Sequence, residues 1–155
     1  MNEYYKTLPT KRMGAGALIF NDKNELLVVK PTYKNYWSIP GGVVSQDESP
    51  RSACMREIRE EIGIDIAALD FVCVDYMSAE SEKEKGENLQ FIFYGGILNK
   101  DAIQNIQLEA KELGEYAFVS IDRAMTMFGK NMAARLPKCI EAIRNKAGIY
   151  LERGK

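Results

Sequence analysis

Apolar positions along the chain change period at a few sharp points, and those points divide it into elements. GAGALIF at 14–20 and ELLVVK at 25–30 are apolar, partly β-branched runs parted by NDKN, which predicts a β-hairpin. The polar loop PTYKN then leads to YWSIP, a short third strand that Pro40 should end before Gly41-Gly42, where the backbone can bend sharply or approach a ligand. Next comes a helical period: Met55, Ile58 and Ile62 fall at i, i+3 and i+7, between a Ser49-Pro50 start and a Gly63 stop. DFVCVDYM at 70–77 and LQFIFYGGIL at 89–98 predict two more strands, joined by SAESEKEKGEN, a connection too charged to fold alone and read as mobile. EYAFVS at 115–120 predicts the last strand, and residues 121–128 and about 133–147 read as helices, the second kinked or restarted at Pro137. The order β, β, β, α, β, β, β, α predicts an α/β fold, a mixed sheet with helices on both faces. With no repeat and no dividing linker, residues 1–155 are expected to form one domain.

Composition narrows the function. A chain of 155 residues with net charge −1, 46% hydrophobic and 28% charged, has the make-up of an ordinary soluble protein with room for a real core. Near-neutral charge offers no whole-molecule attraction for nucleic acid, so no nucleic-acid polymer is expected as partner, and phosphate chemistry would need a local site. Cys54, Cys73 and Cys139 are odd in number and widely spaced, which indicates neither a disulfide framework nor a structural zinc and suits reduced thiols in the cytoplasm. MNEYYKTLPTKRMG has no apolar core of a signal sequence, and no run is long enough to span a membrane, so no membrane partner is expected. Histidine is absent. Proton transfer in any catalysed reaction would fall to carboxylates or metals.

The helix at 50–62 carries the one chemical oddity. Glu57, Glu60 and Glu61, at i, i+3 and i+4, should share a face and converge on one point, each like-charge pair costing about 0.2–0.5 kcal/mol when exposed. Arg56 and Arg59 offer partial compensation, but a guanidinium cannot neutralise three carboxylates. Two readings remain at this level: a solvated acidic face, or an all-oxygen site for a hard divalent ion, Mg²⁺ or Mn²⁺.

The surrounding spacing is more specific. Gly42, five residues, Glu48, seven residues, Arg56-Glu57-Ile58, one residue, Glu60-Glu61, one residue and Gly63-Ile64 resemble the 23-residue signature of the Nudix hydrolases, filled at every fixed position. Seven such identities would coincide by chance on the order of once in 10⁸–10⁹ starting points. The run W-x-x-P-G-G before the box and the order of later strands extend the resemblance through most of the chain.

That resemblance implies an α/β/α sandwich and hydrolysis of a nucleoside diphosphate linked to another group, with Mg²⁺ or Mn²⁺ as cofactor. It makes Glu57, Glu60 and Glu61 metal ligands, with the backbone carbonyl of Gly41 or Gly42 as a further ligand, and Glu48 with Arg56 a supporting salt bridge. Within LEAKELGEYAFV it nominates Glu112 as another ligand, with Glu109 and Glu115 close by, and leaves Glu57 or Glu112 as general base. Family subgroup markers past the box are missing, since residues 79–82 are AESE, so a nucleoside triphosphate, oxidised or not, and a nucleotide sugar both stay open. Tyr33, Tyr36, Trp37, Tyr76, Phe91, Phe93 and Tyr94 could stack on a base, and Lys11, Arg12, Lys30 and Lys34 could hold distal phosphates, but none identifies a ligand from sequence. The alternative within the family is a nucleotide-binding sensor without turnover. The oligomeric state stays open, a homodimer included.

Overall fold

The computed structural model describes residues 1–155. The strands are β1 (Arg12–Phe20), β2 (Leu26–Pro31), β3 (Gly41–Val43), β4 (Asp70–Met77), β5 (Asn88–Ile97), β6 (Leu113–Val119) and β7 (Ile149–Glu152). The helices are α1 (Glu3–Lys6), α2 (Pro50–Ile62), α3 (Lys100–Gln104), α4 (Ile121–Met127) and α5 (Lys130–Asn145). One mixed sheet runs β6-β2-β1-β5-β4-β7, with β3 added beside β1. Its pairs β1–β5 and β4–β7 are parallel, and the rest are antiparallel.

Period-two alternation sends β1 and β2 into two cores at once. Ala15, Ala17, Ile19, Leu27 and Val29 pack on one face with Ala53, Cys54, Ile58 and Ile62 of α2. Leu18, Leu26 and Val28 face the other way, against Ala124 of α4 and Leu136, Cys139 and Ala142 of α5. The expected α/β class, a mixed sheet between helices, is therefore the observed one. No helix is long and apolar enough to cross a membrane.

Several local expectations need correction. Tyr36–Pro40 is no ladder strand: Val29 and Ser38 exchange both backbone bonds at 2.8 Å, Trp37 donates to the Met127 carbonyl at 3.0 Å, and the third strand begins only after Pro40. Gly41 and Gly42 can enter the ladder because they lie flush on β1: a Cβ on Gly41, at φ +152, would sit 2.2 Å from the Ala15 carbonyl oxygen. The hairpin turn is where the sequence puts it, held by the Asn21 side chain accepting from the N–H groups of Lys23 and Glu25, yet β1 and β2 pair in register only at Phe20 and Leu26. β2 then runs along β6 instead. Helix α5 starts three residues earlier than expected and is unbroken through Pro137, which is exposed, so water can serve the carbonyl that proline leaves without a donor. Elements α1, α3 and β7 were not expected; α1 and α3 bury nothing, and β7 depends on a distant parallel partner.

The second core encloses an ion pair. Asp75 is fully buried, and its carboxylate takes Arg135 Nε at 2.7 Å and the Gly154 N–H at 3.1 Å on both oxygens. Arg135 Nη2 meets only Met77 Sδ at 3.5 Å. Nearby, the thiols of Cys73 and Cys139 touch at 3.6 Å, and all three cysteines are free. Replacing Arg135 by Met should strand the Asp75 charge and cost about 3–5 kcal/mol in urea unfolding. Pairing that change with Asp75→Leu should cost clearly less than the two single losses added together.

Candidate active site

Local chemistry sets α2 at a fixed angle to the sheet. The Ser49 hydroxyl accepts the Ser52 N–H at 3.1 Å, Pro50 occupies the first turn, and Gly63, at φ +72, returns its N–H to the Arg59 carbonyl at 3.0 Å. With Ala53, Cys54, Ile58 and Ile62 buried, the side of the helix carrying Glu57 and Glu61 is turned toward β3. There Gly42 offers no side chain, and a Cβ in its place would lie 2.4 Å from the Glu57 carboxyl carbon. Gly41 donates its N–H to Glu61 Oε2 at 3.1 Å.

The third acid arrives from the loop before β6. Gln107 and Glu109 donate their N–H groups to the Ile62 and Glu61 carbonyls, both at 2.9 Å, which sews this loop to the C-terminus of α2. Carboxylate oxygens of Glu57, Glu61 and Glu112 then lie within 4.8 Å of one another. Of the acids considered in this stretch, Glu112 is the one brought in; Glu109 turns back to the Lys111 N–H, and Glu115 lies within β6 opposite Lys30. Glu60 also stands outside this group, correcting the expected convergence of all three helix acids. At 100° per residue Glu61 is about 40° from Glu57 around the helix, whereas Glu60 is about 60° away on the other side, toward solvent.

Arg56 organises the remaining charge. Its Nε and Nη2 grip the two oxygens of Glu48 at 2.8 and 3.0 Å, Nη1 reaches Glu57 at 2.8 Å and Glu60 at 3.3 Å, and Nη2 also meets the Val43 carbonyl at 3.2 Å. Glu48 additionally accepts the Ser45 N–H at 2.9 Å, so the loop between β3 and α2 is tied to the helix at both ends. The Arg56 bonds hold the Glu48 carboxyl down at about 2.

Glu61 has no such partner. Burial pushes its carboxyl up to about 8, against the pull of the Gly41 N–H, and the nearby Glu57, Glu112 and Glu60 raise it further. Burial and the charges of Glu61 and Glu57 also drive the Cys54 thiol up to about 12, which leaves it inert. Tyr33 feels the same field: partial burial first, then Glu61, Glu112, Tyr36 and Glu57, raise its phenol. Sequence reasoning left Tyr33 as one of seven aromatics, and its place just before the W-x-x-P-G-G run was the one usable hint. Three carboxylates this close, with no histidine in the chain and the neighbouring Cys54 held as a buried, protonated thiol, could hold a hard divalent cation.

The NUDIX domain model matches residues 10–141. The m7GpppN-mRNA hydrolase of Saccharomyces cerevisiae is 32% identical over 100 residues, 62% of this chain and 9% of that protein. An 8-oxo-dGTP diphosphatase of Proteus vulgaris is 33% identical over 70 residues, 41% of this chain and 62% of its own. The matched stretches thus span less than two thirds of these relatives. The crystal structure of a MutT protein from Methanosarcina mazei Go1 superposes with a TM-score of 0.69 over 90% of this chain and 99% of that one, at 23% identity.

The raised Glu61 carboxyl fixes a pH dependence. Between its ordinary 4.5 and about 8 the folded protein keeps a proton that the unfolded chain has released, so stability of the metal-free protein should fall as pH rises through that window. Chemical denaturation in EDTA at pH 5, 6.5 and 8 should show this decline, and Glu61→Gln should flatten it.

Proposed function

The chain belongs to the Nudix family, and on that premise we propose that it hydrolyses the diphosphate linkage of a small nucleoside diphosphate derivative with the help of Mg²⁺ or Mn²⁺. The observation that supports this most directly is the meeting of Glu57, Glu61 and Glu112 within 4.8 Å beside two glycines that keep the approach clear. A carboxylate as buried as Glu61, without a cation of its own from the protein, fits a site designed to be completed by one.

In this reading Glu57, Glu61 and Glu112 hold the cation, the carbonyl edge at Gly41-Gly42 lies alongside, and Glu60 adds negative charge from the solvent side. When bound, the cation supplies charge neutralisation at the bridging oxygens and a more acidic water. Glu112 is assigned as the proton acceptor for the attacking water. One Glu57 oxygen is already committed to Arg56 at 2.8 Å, whereas the Glu112 carboxylate makes no hydrogen bond or ion pair within the protein. Glu48 and Arg56 act at one remove, holding the glycine strand against the helix.

The substrate class is a free nucleotide: a nucleoside triphosphate, oxidised forms included, or a nucleotide sugar. An 8-oxo-dGTP diphosphatase among the relatives agrees with it. The relative that is an mRNA hydrolase favours a second reading, the 5′ end of an RNA, but a net charge of −1 gives no whole-molecule attraction for a polyanion.

Product analysis of nucleoside triphosphates, nucleotide sugars and 5′-triphosphorylated RNA, each incubated with Mg²⁺ and with EDTA, tests the reading, because water added across the diphosphate bond leaves a nucleoside monophosphate, or an RNA 5′-monophosphate, together with pyrophosphate or a sugar phosphate. Turnover of at least one free nucleotide, abolished by chelation, is expected. Metal-dependent binding without turnover would replace the enzyme by a sensor. Glu61→Gln should lower kcat by at least about a hundredfold, and Glu48→Gln by less, with part of its effect appearing as lost stability.

A further inference from the structure

The acid group accounts for a diphosphate but not for the rest of a nucleotide. Beyond Pro31, where β2 leaves β6, the chain turns over the Glu112 loop and is fastened to it twice. The Thr32 N–H donates to the Glu112 carbonyl at 2.8 Å, and its hydroxyl donates to the Lys111 carbonyl at 2.9 Å. Lys30 Nζ donates to the Lys34 carbonyl from below. The segment Thr32–Tyr36 and the loop bearing Glu112 therefore form one ledge at the rim of the acid group.

What this ledge displays is unusual for a solvent-facing loop. Tyr33 is 73% exposed and Tyr36 38%. Lys34 Nζ lies over both rings, 5.5 Å from the centre of one and 5.4 Å from the other. Tyr36 is itself backed by the start of α5, since a Cβ on Gly129 would come within 2.9 Å of its ring. Two aromatic faces and an ammonium that can leave them thus stand next to the carboxylates, and the fold spends neither ring on its core. Aromatic faces accept any base by stacking, and a lysine on a flexible stem binds phosphate as a point charge.

We propose that Tyr33, Lys34 and Tyr36 form the subsite for the nucleobase and an adjacent phosphate, the base stacking on the tyrosines where the Lys34 ammonium rests and Lys34 moving to the phosphate. This deepens the diphosphate-hydrolase reading of the acid group and rests on it. It also assigns discrimination among nucleotides to a loop outside the 42–64 signature. The sole tryptophan, Trp37, directly follows Tyr36 and makes a built-in reporter.

The test is equilibrium binding of three non-hydrolysable probes in Mg²⁺, by calorimetry and Trp37 emission: α,β-methylene-ADP, its guanosine counterpart, and methylenediphosphonate, which has no base. The wild type should bind at least one nucleoside probe more tightly than methylenediphosphonate and change its emission only with nucleosides. Tyr33→Ala should weaken nucleoside binding by roughly tenfold or more and leave methylenediphosphonate within about twofold, while Tyr33→Phe stays near wild type because the ring remains. Lys34→Ala should weaken the nucleoside probes and lessen their salt dependence. Nucleoside probes bound no better than methylenediphosphonate, or bound equally by wild type and Tyr33→Ala, would overturn the subsite. Tyr33-dependent nucleoside binding with no affinity for methylenediphosphonate would keep the subsite and remove the diphosphate site instead.

Discussion

Arg56 is the cation that bonds directly to Glu48, Glu57 and Glu60, and its planar fork is fully used: those three carboxylates and the Val43 carbonyl take its N–H groups between them. Every other feature of the site follows from where that fork is satisfied and where it stops. It joins the strand of glycines to the helix through the Val43 carbonyl and Glu57, beside the place where Gly42, lacking a side chain, lets Glu57 approach. It also stops short of Glu61 and Glu112. The result is a deliberate imbalance of charge, compensated on the side of Glu48 and left open on the side that faces Tyr33.

Two buried acids in the same chain show how differently such a group can be provided for. Asp75 has a guanidinium and a backbone N–H on its oxygens, far from any cleft chemistry, and behaves as a joint between β4, α5 and the end of the chain. Glu61, almost as deeply placed, has the Gly41 N–H and a set of like charges. The first arrangement is complete in itself. The second is left with like charges around it, which is the usual signature of a site whose geometry is held at a cost in stability.

The helix that carries the acids was more legible in the sequence than the strand pairing around it. Spacing alone put Glu57 and Glu61 on one side of a helix capped by Ser49 and stopped by Gly63, because helical period and cap chemistry are local. Glu60 needed the actual rotation of α2 and the reach of Arg56, and the choice among Glu109, Glu112 and Glu115 needed hydrogen bonds from Gln107 and Glu109 to the end of α2. Strands were found where β-branched runs were long. β7 was invisible because four residues carry no usable alternation, and the third strand was misplaced because its glycines pair by close approach to β1, which no propensity reports. Tyr33 was hidden for a similar reason, since its relation to Glu112 passes through Thr32 on one loop and Lys111 on another.

The two parallel ladders have one more consequence, for the order of assembly. Arg12 pairs with Asn88 and Cys73 with Ile149, so the centre of the sheet and its far edge both wait on closure of long stretches of chain, whereas β1, β3 and α2 are neighbours in sequence. Non-local parallel pairing raises contact order and slows the search for the native state. A nascent chain can dock the glycine strand on β1 and set α2 beside it before β5 has emerged, with Glu57 and Glu61 still solvated. Glu112 lies downstream of β5 and joins them only afterwards, so the electrostatic strain of the site is deferred until the sheet that must bear it has closed.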